Sequence, residues 1–227
     1  MVKNLKIYKD FNISRKFNNS IILIGNFDGL HIGHQKLFKI ARKYKLRKKL
    51  KLGVITFDPI PKMFFNPKFK NYRISNFNQK IEILKSYNID FIINKKFDKK
   101  FSKTKYTNFI KNFLYKKIKP RYIFVSDNFR FGNKREGDVS SLKQFEKLYG
   151  YKVINPSPLK KNLKIVSSTL IRKYLSEGKI KVANKYLDRN WSIEGLVKIG
   201  RRMGRQIGFP TCNIDIGDYI ISKPGVY

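Results

Sequence analysis

Short apolar runs rich in β-branched and aromatic residues recur along the chain at 21–24, 54–57, 91–93, 122–125 and 151–154. Each reads as a strand. Between them, apolar residues return at helical spacing. Leu37, Ile40, Ala41 and Tyr44 share one face after the first run, and Tyr106, Phe109, Ile110, Phe113 and Leu114 share another before the fourth. Alternation of this kind predicts an α/β fold on a mostly parallel sheet, with right-handed crossovers covering both faces. Ligands of such sheets bind beyond the carboxyl ends of the strands, and the chemically suggestive stretches all fall there. From about Asp188 the pattern changes. WSIEGLVKIG (191–200) alternates as a strand does and runs into a glycine-rich turn, not a helix. The predicted division is an α/β domain over 1–187 and the beginning of an all-β module over 188–227, with apolar edges exposed near Val197, Ile214 and Ile220.

Composition narrows the classes. With 41% apolar residues among 227, the chain can bury a sizeable core. No apolar run approaches the roughly 18 residues of a membrane helix, and the basic N-terminus lacks the apolar stretch of a secretory signal. The single cysteine, Cys212, excludes an intramolecular disulfide framework and a cysteine-rich zinc site. A cytoplasmic protein with no membrane partner is expected. The formal net charge of +36 invites a nucleic-acid reading, since clustered lysines displace counterions from phosphate backbones. Its distribution argues otherwise. Lysine is spread over almost every segment beside an excess of Asn, Ile, Phe and Tyr, while alanine occurs only at Ala41 and Ala183. That skew is one of A- and T-rich coding, not of a binding face, so no nucleic-acid partner is expected. The positive field still steers small anionic substrates.

Both histidines lie in GNFDGLHIGH (25–34), directly after the first strand. Gly25 allows a sharp turn and a close approach to a ligand, and a helix starting near His34 would offer free N–H groups and a positive dipole end to an anion. This is not a P-loop, because it has no GxxxxGK[ST] pattern and no lysine in the turn. His31 and His34 can instead both reach a polyphosphate at the helix start and donate to its oxygens as charge builds. Farther on, Ser167, Ser168 and Thr169 of VSSTLIR form a helix N-cap facing an anion, and the planar cationic fork of Arg172 follows one turn later. That makes a second phosphate clamp. In the stretch 126–138, Phe129, Arg130 and Arg135 set flat rings beside cations, which suits a ring system carrying a phosphate.

GNFDGLHIGH resembles the HxGH signature of the nucleotidyltransferase superfamily, and its GNFDGxHxGH form resembles that of the bacterial bifunctional riboflavin kinase/FMN adenylyltransferases. Four further stretches are similar to the same family in the same order: TFDPIPKMFF (56–65), VSDNFRFGNKREGD (125–138), VSSTLIRKYLSEGKI (166–180) and GRRMGRQIGFPTCN (200–213). The resemblance implies a Rossmann-like nucleotidyltransferase domain followed by the start of a riboflavin kinase β-barrel. It also implies transfer of AMP from Mg²⁺-ATP to FMN, giving FAD and pyrophosphate. His31 and His34 would be catalytic, together with Asn128, which stands where the common family form has aspartate and so can hydrogen-bond but not carry charge. ATP would be held by Gly25, Asn26, Phe27, Asp28 and Gly29 and by Ser167, Ser168, Thr169 and Arg172. Flavin contacts would come from Phe57, Asp58 and Pro59 and from Phe129, Arg130 and Arg135. GFPTCN is similar to the kinase motif in which the residues matching Thr211 and Asn213 hold magnesium and ATP phosphates. Because the chain stops at KPGVY, only the first strands of that barrel are expected, with FAD made from FMN but no FMN made from riboflavin. The alternatives are another HxGH cytidylyl- or adenylyltransferase, which leaves TFDPIP and GFPTCN unexplained, and a basic nucleic-acid-binding protein, which accounts for charge alone.

Overall fold

The computed structural model describes residues 5–198, 208–209 and 212–225. Its main sheet takes strands β1 (Lys6–Tyr8), β2 (Ile21–Ile24), β3 (Leu52–Asp58), β4 (Phe91–Lys96) and β5 (Tyr122–Phe124). The hairpin of β6 (Arg130–Phe131) and β7 (Gly137–Asp138) stands outside it, and β8 (Lys152–Ile154) closes the series. All six sheet strands run parallel, in the order β1-β4-β3-β2-β5-β8. The five strands expected from the apolar runs are present, and β1 is an addition. Its Lys-Ile-Tyr is mostly exposed and carries no apolar run, so only the open edge of β4 makes it a strand.

Side chains alternate across a strand, and the two faces of the sheet carry separate cores. Ile22, Ile24, Ile55, Phe91, Ile93 and Ile123 pack with Phe109, Ile110, Leu114 and Ile118 on one side. On the other, Ile21, Leu23, Val54, Ile92 and Phe124 pack with Leu37, Phe38 and Ala41 of α1 (Ile32–Lys48) and with Ile81 and Leu84. Burying each such side chain fully contributes about 1.5–3 kcal/mol, so a strand buried on both faces reads as a continuous apolar run. Gly53 is part of this packing, because a Cβ there would lie 2.3 Å from the Phe91 ring.

The second helical face packs as expected, with Phe109, Ile110 and Leu114 buried and Tyr106 and Phe113 against the same core, but its winding differs. After one α-helical turn at Tyr106–Asn108, Phe109–Ile118 is a π-helix. Its buried residues, Phe109, Ile110, Leu114 and Ile118, recur at a longer period than 3.6. α2 (Pro61–Phe65) and α3 (Phe77–Ser86) form the β3-to-β4 crossover. The hairpin of β9 (Lys160–Lys161) and β10 (Lys164–Ile165) then leads into the helices Ser168–Ser176 and Ile180–Leu187.

Those last helices build a third core of Val166, Ile171, Leu175, Ala183, Tyr186 and Leu187, joined by Ile74 and by Ile220. Ile220 is only 8% exposed, which corrects the expectation of an exposed edge there. Tyr219 forms a parallel bridge with Arg73, and the Ile220 N–H donates to the Arg73 carbonyl. Backbone pairing thus carries the apolar side chain into a core formed elsewhere in the sequence. Val197 and Ile214 are exposed, as expected, on the antiparallel pair β11 (Val197–Lys198) and β12 (Asn213–Ile214). Of WSIEGLVKIG, only Val197 and Lys198 are strand among the described residues.

Candidate active site

From β2 the chain moves outward through β3 and β4, then returns to β5 and β8 on the other side of β2. A ligand crevice is expected where the order reverses. Three loops leave the sheet around this point: 25–31 after β2, the Asp58-Pro59 stretch after β3, and 126–129 after β5. The candidate residues of the α/β domain lie on or beside these loops, at the end of β3 and the start of α1, on the β6–β7 hairpin that follows the third loop, and in the first two turns of the Ser168–Ser176 helix.

The loop after β2 is held from within. The chain bends at Gly25 as expected, and left-handed backbone follows at Phe27 (φ 48°), Gly29 (φ 76°) and Leu30 (φ 40°). Gly25 serves packing, since a Cβ there would come within 3.0 Å of the Phe27 ring. Gly29 has the left-handed backbone that favours glycine, and a Cβ there would sit 2.8 Å from Ile74. Asp28 is buried. Its carboxylate accepts from the N–H groups of Ile74 (3.1 Å) and Ser75 (3.3 Å) and pairs with Arg172 Nη2 at 2.5 Å.

α1 begins at Ile32 with His31 as its N-cap, two residues before the expected start. His31 Nδ1 accepts from the His34 N–H at 3.3 Å. A neutral imidazole that accepts at one nitrogen carries its proton on the other, so His31 presents Nε2–H as a donor. The two rings stack with centroids 3.7 Å apart. Burial, then the nearby cations Arg172 and Arg189, lowers the His31 pKa to about 3. His34 is held well below its ordinary value by burial, by His31, and by Lys80 and Arg172. Both rings are therefore neutral at pH 7. Among the described residues, His34 Nδ1 and Asn26 Oδ1 are buried and lack a hydrogen-bond partner.

The second motif abuts the first. A Cβ at Gly33 would lie 3.2 Å from the Val166 carbonyl, tighter than ordinary contact, so the glycine eases the close approach of the first turn of α1. Ser167 caps its helix as expected, accepting from the Leu170 N–H at 3.2 Å. Ser168 Oγ donates to the Asp28 carbonyl at 3.0 Å, while Thr169 is exposed. Arg172 departs from the role assigned to it. Its Nε donates to the Tyr72 carbonyl at 2.7 Å, its Nη2 binds Asp28, and the guanidinium lies 3.7 Å over the Tyr72 ring. Most of the fork expected to grip phosphates is thus engaged inside the protein, because the buried Asp28 carboxylate needs a cation. Arg172 still acts on the site as a charge, since it depresses both histidines.

The residues expected on the flavin side are more open. Asp58, Phe57 and Pro59 are half-buried at the end of β3, and Asp58 Oδ1 receives Arg73 Nη2 at 2.5 Å. Asn128, Arg130 and Arg135 are exposed, Arg130 pairs with Asp138 at 2.9 Å, and Phe129 stacks on Phe131. Asn213 is exposed on β12, and Thr211 lies outside the described residues. No group of three or more His, Cys, Asp or Glu among the described residues could hold a metal ion. Asp28 and Asp58 are both taken up by arginines. Among the described residues, then, no cage of protein ligands encloses a magnesium ion.

Two cations escaped the sequence reading. Arg189 donates to the carbonyls of Gly29 (2.7 Å) and Leu187 (3.2 Å). Lys80 lies fully inside, under Asn26. Lys80 had a signal, because Phe77, Lys80, Ile81 and Leu84 share one face of α3 and a lysine on an apolar face needs a reason. Arg189 follows a helix end in LDRNW with no such pattern.

Comparison with known proteins fits this geometry. The FAD synthetase family model matches residues 13–170 and the riboflavin kinase model matches 187–227. A bifunctional riboflavin kinase/FMN adenylyltransferase of Buchnera aphidicola subsp. Schizaphis graminum is 42% identical, over 98% of this chain and 72% of the relative. Its counterpart in Haemophilus influenzae is 31% identical, over 95% and 70%. A solved structure described as a macrolide-efflux protein from Streptococcus pneumoniae aligns with TM-score 0.81 at 27% identity, over 95% of this chain and 71% of that one. Among the described residues no helix is long and apolar enough to cross a membrane, and that likeness is taken for fold alone.

Proposed function

The chain belongs to the bifunctional riboflavin kinase/FMN adenylyltransferase family, and from that premise we propose how its residues make FAD from FMN and ATP. An oxygen of the FMN phosphate attacks the α-phosphorus of ATP. The new P–O bond forms as the bond to the β-phosphate bridging oxygen breaks, and pyrophosphate leaves. The nucleophile is already anionic, so the protein needs no covalent intermediate. Its task is to align the two phosphates and stabilise spreading charge.

The observation that carries this reading is the pair of stacked, neutral, buried histidines at the start of α1, set against the Ser167 cap. In this role His31 donates through Nε2–H, and His34 donates from a ring that the protein leaves unpartnered at Nδ1. Neither histidine transfers a proton; each is a fixed dipole on a buried ring. Ser167, Ser168 and Thr169 with Gly25 to Gly29 form the ATP side. Phe57 to Pro59, Asn128, Phe129, Arg130 and Arg135 form the flavin side. Arg172 acts as a buried strut and a source of positive potential, in place of a bidentate clamp. Magnesium is proposed to enter as MgATP, held by the substrate's phosphates, in the manner usual for this ion. Thr211 and Asn213 are the candidates for the phosphates in the kinase module. A cytoplasmic location is proposed with the free Cys212 as its support.

The test is incubation with MgATP and FMN, followed by chromatography of the flavins. His31→Ala and His34→Ala are each expected to slow FAD formation by about a hundredfold, the scale of one preorganised donor, with FMN affinity little changed. Near wild-type turnover in both variants would remove this mechanism. Riboflavin in place of FMN reads the family's second activity in the same assay.

A further inference from the structure

Lys80 is the one lysine of α3 that faces the site, and it is 2% exposed. Its Nζ donates to the Asn26 carbonyl at 2.8 Å and to Thr56 Oγ1 at 3.2 Å, and Thr56 Oγ1 itself donates to the same carbonyl at 3.1 Å. Both partners are neutral oxygens. A buried ammonium without a direct carboxylate partner is costly, and such groups concentrate at functional sites.

The geometry fixes what the cation does. In a trans peptide the C=O of one residue and the N–H of the next point in opposite directions. Lys80 and Thr56 together draw the Asn26 carbonyl toward the interior beneath the loop. The N–H of Phe27 is thereby turned the other way, and it finds no acceptor among the described residues. A backbone N–H that the protein leaves unpaired is open to an anionic oxygen from outside the chain. Phe27 has left-handed backbone at φ 48°, so its conformation is not one the chain would hold unaided.

We infer that Lys80 is a positioning residue for adenylyl transfer, holding the Asn26–Phe27 peptide so that its N–H faces the phosphates of the nucleotide. This rests on the adenylyl-transfer reading above. Lys80 also supplies positive charge beside two histidines that are neutral. The charged groups acting on it are Asp28 and Asp58, which favour its charged form, and Arg73, which opposes it; His34 stands on the loop side. Burial outweighs the others and brings its pKa down to about 8. The charged form holds the carbonyl more firmly and supplies the positive charge, so turnover should decline as pH rises through that value.

The test compares wild type with Lys80→Met, which keeps the volume and removes the charge, under saturating FMN and MgATP. FAD formation by Lys80→Met is expected to fall about tenfold to a hundredfold in kcat, with both KM values within about threefold. The wild-type alkaline limb near pH 8 should be absent from the variant. A folded Lys80→Met with wild-type kcat, or with the alkaline limb intact, would overturn the inference. If that variant does not fold, Thr56→Val serves: losing an acceptor should move the limb to lower pH, and an unmoved limb overturns the inference. Failure of the wild-type protein to form FAD would strike the adenylyl-transfer reading instead.

Discussion

The loop after β2 and the β11–β12 hairpin both carry a family motif, yet their surroundings differ in kind. Around GNFDGLHIGH the residues reach across the whole chain. Asp28 holds the 74–75 backbone and Arg172, Ser168 holds the Asp28 carbonyl, and Arg189 holds the Gly29 carbonyl. Around GFPTCN, by contrast, Phe209 is 75% exposed and Asn213 lies on a two-residue strand open to solvent. A motif supplies residue types; a site also needs their positions fixed by the packing and hydrogen bonds of the residues behind them. Only the first motif has that support among the described residues.

The most damaging way to test this difference is to remove its centre. Asp28→Asn keeps shape but leaves Arg172 buried without its counter-charge, and breaking a buried pair in this manner costs about 3–5 kcal/mol. Urea unfolding should show that loss as a lower midpoint with an unchanged slope. A loss under about 1 kcal/mol would mean that the Asp28 network is incidental to the loop. FAD formation should fall as well, since the same carboxylate fixes both segments proposed to face the phosphates.

How much of this was legible follows from the range of each interaction. The strands could be read because apolar side chains on both faces leave a run in the sequence, and the HxGH loop because its glycines and histidines sit within ten residues. The pairing of Asp28 with Arg172 spans 144 positions. Nothing local distinguishes an arginine that binds phosphate from one that neutralises a buried aspartate, so the fork of Arg172 was assigned outward. Lys80 left a trace only as a cation on an apolar helix face. Ile220 was misjudged because a neighbouring backbone bridge, Arg73 to Tyr219, decides its burial. β1 and the π-helical winding of Phe109–Ile118 likewise depend on the sheet edge and core they meet, not on their own residues.

The histidines give a second, gentler test of how closed the first region is. In the unfolded chain they bind protons below about pH 6.5, whereas folded His31 stays neutral until about pH 3 and His34 is also held well below its ordinary value. The unfolded state thus binds more protons between these limits, and stability must decline as pH falls from 6.5 toward 4. The slope is up to about 1.4 kcal/mol per pH unit for each histidine. Carboxylates contribute at the lower end, so the comparison is with His31→Ala/His34→Ala, in which the decline between pH 6.5 and 5 should flatten. An equally steep decline in the double variant would mean that the rings are solvated in the folded protein.

The smallest expected effect concerns the part of the C-terminal segment that does touch the α/β domain. Arg73 lies between Asp58, at the end of β3, and Asp218, bonding to both carboxylates. Those ion pairs connect the loop after β3, proposed for the flavin side, to residues 218–220. The connection does not rest on the Asp218 side chain, however, because the N–H groups of Tyr72 and Arg73 also donate to its carbonyl, at 2.8 and 2.9 Å. Asp218 is nearly half exposed, which screens its charge, and Arg73 keeps Asp58 when Asp218 is lost. Asp218→Ala should therefore cost no more than about 1 kcal/mol and change FAD formation by less than about twofold. Asn213→Ala, on the exposed hairpin, should change neither stability nor FAD formation measurably. If Asp218→Ala instead lowers kcat by about tenfold or more while Asn213→Ala stays silent, the docked segment orders the flavin-side loop through Arg73. The boundary between the two regions would then fall between residues 214 and 218, not at 188.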